Sequence, residues 1–190
     1  MSSHLFLEPV LSYVKFAQTI YLTQHSAEFK TLVSKKFGCT EPFVIVVDDF
    51  NLEPTSTAYH YIVSGYPGSK LWIENNEVLV KVESFGEMPM ALCSVYALAK
   101  GREPKFTNCK PKFKYTLDYI FFSPSRFITP INVLKLPDST ESPDVIGGLP
   151  HFYHPSDHLP IVAEFEIRKQ WDLAILCNYE LTIRLTLFFF

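Results

Sequence analysis

No Cys-x-x-Cys pair occurs in this chain. Its four cysteines, Cys39, Cys93, Cys109 and Cys177, stand far apart, which argues against a zinc module and for ordinary reduced thiols in an intracellular protein, cytoplasmic or nuclear. An excess of basic charge is missing too. With 17 Lys+Arg against 20 Asp+Glu the net charge is −3, so any nucleic-acid binding must be local or helped by cations. There is no Gly-rich phosphate loop, internal repeat or low-complexity tract. No secretory signal opens the chain, because Met1-Ser2-Ser3-His4 is not a basic region followed by an apolar run. The apolar end LTIRLTLFFF is shorter than the roughly 20 residues of a membrane span; Arg184 interrupts it, and Asp172 and Glu180 interrupt the apolar stretch before it. No membrane partner is expected.

What is present suits a globular protein. The 190 residues, 47% hydrophobic and 19% charged, are enough for one domain with a substantial core. Residues 11–36 read as a helix: Val10, Val14, Ala17 and Tyr21 recur at helical spacing, Pro9 sits near the start and Gly38 follows the end. The β-branched run 43–47 suits a strand buried on both faces. It stops at the polar loop DDFNLEP, after which 55–64 reads as a second helix closed by Gly65. Residues 66–87 read as a variable connection, and 91–100 as a short helix or irregular segment. Strands are expected at 116–123, 131–136 and 160–167, so the fold class is a layered α/β protein.

Polar groups interrupt or follow these apolar strands at three places. Asp49 and Asn51 follow the 43–47 run, Asp118 lies inside TLDYIFFS, and Asp157-His158 stands between Pro155 and Pro160 before the last strand. Carboxylates brought close repel one another unless a cation intervenes. Asp, Asn and His supply oxygen and imidazole ligands for Mg²⁺ or Mn²⁺, and such an ion with a water-orienting carboxylate suffices for phosphodiester hydrolysis. Singly, Asp49 and Asn51 read as turn formers, Asp118 as a buried partner of a lysine, and His158 as a structural histidine. Together, beside apolar strands, they read as a site.

Three stretches, VDDFNLEPTSTAYHYIVSG, EPKFTNCKPKFKYTLDYIFFS and HPSDHLPIVAEF, resemble in that order the endonuclease/exonuclease/phosphatase superfamily. Within it they look like the deadenylases of the carbon catabolite repressor, nocturnin and Angel type. The resemblance implies two packed β-sheets flanked by helices, a four-layer α/β sandwich that is incomplete here. It also implies a Mg²⁺-dependent 3′-to-5′ exoribonuclease acting on poly(A) RNA, with deadenylation-complex proteins as possible partners. The family's Gly-Asp-Phe-Asn matches Asp48-Asp49-Phe50-Asn51, which implies that Asp49 orients the attacking water and that Asn51 contacts metal and phosphate. Leu117-Asp118-Tyr119 matches its Leu-Asp-Tyr, with Asp118 supporting the network. Ser156 to Pro160 matches Ser-Asp-His-x-Pro, placing His158 at the phosphate or its metal, held in one tautomer by Asp157. The implied metal ligands are therefore Asp49, Asn51 and His158. His4, in Ser2-Ser3-His4-Leu5, matches a phosphate-contacting histidine, and Pro9, Asn108 and Phe113 match positions that grip adenine. For Phe113 the alternative is an ordinary core residue.

Three departures qualify the resemblance. It covers about His4 to Ile167, so residues 1–167 correspond to the C-terminal part of the family's domain, without the strands that carry its metal-binding glutamate and an asparagine. Weakened activity is expected from that loss. The alternatives are a phosphatase acting on a small nucleotide or RNA end, or an inactive fragment that binds RNA or protein. Asp48 stands where the family has glycine, and strand alternation should point it away from Asp49. Residues 168–190 are an unmatched apolar tail, expected to have no reserved place in the core.

Overall fold

A computed structural model describes residues 12–64, 71–75, 78–82, 89–168 and 182–189. The elements in chain order are α1 (Ser12–Phe37), β1 (Ile45–Asp49), α2 (Thr57–Ser64), β2 (Leu71–Asn75), β3 (Val78–Val82), β4 (Cys93–Ser94) and α3 (Val95–Lys100). They continue as β5 (Asn108–Lys110), β6 (Phe113–Tyr115), β7 (Asp118–Phe122), β8 (Ile128–Val133), β9 (Ile161–Arg168) and β10 (Thr182–Phe189). The segment expected as a variable connection contains a hairpin, β2–β3, and a second hairpin, β5–β6, lies where no strand was expected.

The central sheet has the order β1-β7-β4 and is antiparallel throughout. Side chains alternate across a strand, so its two faces bury different sets. Val46, Tyr119 and Phe121 join Phe16, Ile20, Tyr61 and Ile62 from α1 and α2 in one core. Val47, Ile120 and Phe122 turn the other way, onto Ile161, Ala163 and Phe165 of the sheet β10-β9-β8, and α3 closes that core with Val95 and Tyr96. A smaller cluster of Phe106, Cys109, Val145, Leu149 and Leu159 lies under the loops beside the central sheet. The result is an α/β sandwich of helices on one sheet and a second sheet behind it.

One local expectation is corrected by packing. The buried face of α1 carries Phe16, Thr19, Ile20 and Thr23, whereas Tyr21 is 64% exposed and Ala17 is exposed as well. Apolar periodicity misses this face because two of its members are threonines. The Thr19 and Thr23 hydroxyls donate to the carbonyls of Lys15 and Thr19, four residues back, which makes them tolerable in a core. Asp48, by contrast, follows the alternation: it is buried on the helix-facing side of β1, opposite Tyr119, with Asp49 on the other face.

The tail also differs from expectation. The strand β9 runs on to Arg168, and β10 pairs antiparallel with it from Thr182↔Arg168 to Phe189↔Ile161. Leu187 and Phe189 pack against the intersheet core, so the apolar end supplies an edge strand. Truncation after Arg168 should therefore expose the β9 edge and destabilise the protein. The expected loss is on the order of 3 kcal/mol, from two partly buried apolar side chains and the strand ladder. Thermal unfolding of the truncated and full chains would show it; an unchanged midpoint with improved solubility would mean that β10 is dispensable.

Candidate active site

The register of β1 and β7 sets two carboxylates against each other. Asp49 and Asp118 are direct cross-strand partners on the last rung, on the face that carries Val47 and Ile120. Like charges directly opposite are destabilising, so this arrangement needs compensation. It comes from His158, on the loop leading into β9. The His158 Nδ1 atom lies 2.9 Å from Asp118 Oδ2 and 3.0 Å from Oδ1, and its Nε2 lies 3.9 Å from Asp49 Oδ2. Side-chain exposures of 1% for Asp118, 13% for Asp49 and 22% for His158 grade the site from its floor to its mouth.

Asp118 is held from below. The buried Thr107 hydroxyl donates to Asp118 Oδ2 at 2.6 Å and accepts the backbone N–H groups of Leu117 and Asp118 at 2.9 and 3.0 Å. An ionised carboxylate can only accept, so the His158 Nδ1 proton points to Asp118 and Nε2 is turned toward Asp49. The hydrogen bond to Asp118 raises the His158 pKa above the ordinary imidazole value. Burial opposes this, while the charges of Asp118, Asp49 and Asp157 add to it.

The expectation that Asp157 holds the His158 tautomer is corrected by this geometry. Asp157 Oδ2 is 3.9 Å from Nε2, beyond hydrogen-bond reach. It instead accepts from Asn108 Nδ2 at 3.0 Å and pairs with Lys110 Nζ at 2.9 Å. Burial alone would raise the Asp157 pKa, but the bonds from Lys110 and Asn108 hold it below the usual carboxylate range. Cys109 N–H donates to the Asp157 carbonyl and Leu159 N–H to the Thr107 carbonyl, so β5 is laced to the histidine loop on both sides of His158. Asp157 thus fixes the loop, and Asp118 fixes the ring.

The other expected residues fall as follows. Asn51 N–H donates to Asp49 Oδ1 at 3.0 Å, turning that carboxylate at the end of β1, and Asn51 itself is buried at φ 50°, a conformation asparagine tolerates. Asn108 is buried on β5 and tied to Asp157. Phe113 is 38% exposed on β6, with its ring 4.6 Å from that of the equally exposed Tyr115, and so is not a core residue. His4 and Pro9 lie outside the described residues. Thr107 and Lys110 carry no local signal: Lys110 belongs to a hairpin that no sequence pattern announces, and Thr107 stands just before it.

One ligand atom each from Asp49, Asp118 and His158 lies within 4.8 Å of the others. Two carboxylates and an imidazole form a donor set that fits a divalent cation and a metal-dependent hydrolytic site. Asp118 is also engaged by Thr107 and by His158 Nδ1, while His158 Nε2 faces Asp49. Among the described residues, no helix is long and apolar enough to cross a membrane.

No protein-family model matches the chain. It is 49% identical over 169 residues to carbon catabolite repressor protein 4 homolog 4 of Arabidopsis thaliana, a match covering 89% of this chain and 37% of that protein. It is 30% identical over 167 residues to 2′,5′-phosphodiesterase 12 of Mus musculus, covering 87% of this chain and 25% of that protein. The catalytic domain of human nocturnin, solved with bound sulfate, aligns with a TM-score of 0.54 and 25% identity over 87% of this chain and 46% of that one. The structure of ANGEL2, a 2′,3′-cyclic phosphatase, in complex with adenosine-2′,3′-vanadate aligns with a TM-score of 0.65 over 87% of this chain and 56% of that one. At 24% identity, this last likeness speaks for the fold. The chain spans 37% and 25% of the length of these two curated relatives.

The Asp118–His158 pair makes the site's pH response testable. Asp118→Asn should return the His158 pKa toward the ordinary imidazole value, read by NMR titration of the ring protons. Since the folded pKa is raised, the pair's contribution to stability is complete below the ordinary imidazole pKa and is lost as pH rises through the raised folded value. The stability gap between the wild type and this variant should narrow over that same rise. A His158 titration identical in both proteins would show that Asp118 does not control the ring.

Proposed function

We propose that this chain, which belongs to the carbon catabolite repressor, nocturnin and Angel superfamily of nucleases and phosphatases, acts as a magnesium-dependent 3′-to-5′ exoribonuclease that shortens poly(A). The observation that carries the reading is the Asp118–His158 pair facing Asp49 at the end of the central sheet. A hydrolase of phosphodiesters needs a group to place water and groups to bear charge on the phosphoryl oxygens. Asp49, steadied by Asn51 N–H, is the water-orienting carboxylate. His158, its ring oriented by the Nδ1 bond to Asp118, presents Nε2 to a phosphoryl oxygen or to the cation bound there. Water attacks phosphorus, the bond to the preceding 3′-oxygen breaks, and a nucleoside 5′-monophosphate leaves a chain ending in a 3′-hydroxyl. A divalent cation held by Asp49 and His158, Mg²⁺ or Mn²⁺, supplies further neutralisation of phosphate charge when bound. Asn51 and His4 add phosphate contacts in this reading, and Asn108 and Phe113, with Pro9, border the base.

The name of one relative, a probable CCR4-Not complex 3′-5′-exoribonuclease subunit of Vairimorpha ceranae, supports RNA as substrate and a deadenylation complex as partner. The test uses the purified protein with 5′-labelled poly(A) and Mg²⁺. Stepwise shortening is expected, stopped by a chelator and lowered about a hundredfold or more by Asp49→Ala or His158→Ala. Circular dichroism would check that both variants fold. Opening of a nucleoside 2′,3′-cyclic phosphate in place of shortening would favour a phosphatase. Binding of poly(A) without hydrolysis of either substrate would overturn the enzyme reading and leave a binding module.

A further inference from the structure

The four residues before the Pro155–His158 loop make a tight turn with an unusual display. His151 and His154 exchange backbone hydrogen bonds at 2.9 and 3.0 Å, which leaves Phe152 and Tyr153 at the tip. These rings are 93% and 89% exposed, the two most exposed large hydrophobics among the described residues. Their centroids are 5.1 Å apart and their planes perpendicular, so the two rings are not stacked face to face on each other. A tip so open would ordinarily wander, yet this one is anchored. Tyr153 N–H donates to His151 Nδ1, His151 Nε2 meets the Asp144 carbonyl at 3.1 Å, and His154 Nε2 meets the His158 carbonyl at 2.8 Å. At the root, Leu149 N–H donates to the Cys109 carbonyl of β5. Gly148, at φ +88°, passes so close to Pro111 that a Cβ there would sit 2.8 Å from the proline nitrogen. The rings are therefore held on a stiff turn built onto the loop of the site histidine.

We propose that Phe152 and Tyr153 form a stacking platform for an unpaired nucleobase of the strand whose phosphate lies at His158. This rests on the nuclease reading for its substrate class, but the binding it predicts can be measured without hydrolysis. Two rings on one tight turn are too little surface for a stable protein interface, which takes roughly 800 Å² from each partner. A nucleobase matches a single ring face, and every base offers a π surface. The net charge of −3 gives a polyanion little general attraction, so affinity for a strand must come from contacts such as stacking, which are insensitive to salt. The turn's direct link to His158 makes the substrate strand the occupant already at hand.

Fluorescence anisotropy of the full chain with a labelled oligoadenylate would test the platform, with an abasic oligomer of equal length as the second probe. The double variant Phe152→Ala/Tyr153→Ala should bind oligoadenylate about ten- to a hundredfold more weakly, by a similar factor at low and high salt. The abasic oligomer should bind the wild type and the double variant alike. Phe152→Trp keeps a ring and should retain affinity, with its indole fluorescence quenched by oligoadenylate. Because both side chains lie in solvent, circular dichroism should be unchanged throughout. Equal oligoadenylate affinity in wild type and double variant would overturn the proposal, and loss of self-association in the double variant with that affinity unchanged would assign the rings to a protein contact instead. Weakened base binding in a protein that hydrolyses nothing would uphold the platform while the nuclease reading failed.

Discussion

The juxtaposition of Asp49 and Asp118 across the last rung of β1 and β7 is the constraint around which this structure is organised. Two carboxylates on one face of a sheet repel, and the fold answers by lowering an imidazole between them. Everything that fixes His158 follows from that need. Thr107 supports Asp118 from beneath, and Asn108 and Lys110 hold Asp157 so that the loop cannot turn its histidine away. Removing the imidazole would take from Asp118, which is almost fully buried, the ring that is hydrogen-bonded to it. The cluster is costly for stability and well suited to binding a divalent cation.

The layers of the sandwich make that concentration of charge possible. Val46, Tyr119 and Phe121 tie the central sheet to the helices, and Val47, Ile120 and Phe122 tie it to β8–β10. With both faces of β1 and β7 packed, the backbone at Asp49 and Asp118 has little freedom to relieve the repulsion by moving apart. The third cluster, around Cys109, Leu149 and Leu159, does the same for the loops. Side chains from β1, β7 and the histidine loop then converge because each is carried by a packed element.

Much of this was legible in the chain. The apolar runs marked β1, β7 and β9, and the Asp-x-Asn, Leu-Asp-Tyr and Ser-Asp-His segments marked the residues that meet at the site. Other features were hidden. The buried face of α1 escaped periodicity because Thr19 and Thr23 satisfy their hydroxyls on the helix itself. The β5–β6 hairpin, with Thr107 just before it, is too short and too rich in lysine to stand out as strands. The apolar tail looked like a solubility problem because its partner strand, β9, begins more than twenty residues earlier.

By itself, then, the sequence determined which residue types could do chemistry, roughly where the strands lie, and which family the motifs resemble. Those are short-range properties, set by spacing along one segment and by the chemistry of single side chains. Only the tertiary structure decided which carboxylate holds His158. Asp157 is its neighbour in the chain, but a backbone bond between adjacent residues does not bring their side chains together. Asp118, forty residues away, does reach the ring because antiparallel register and the packing of β5 against the histidine loop place it there.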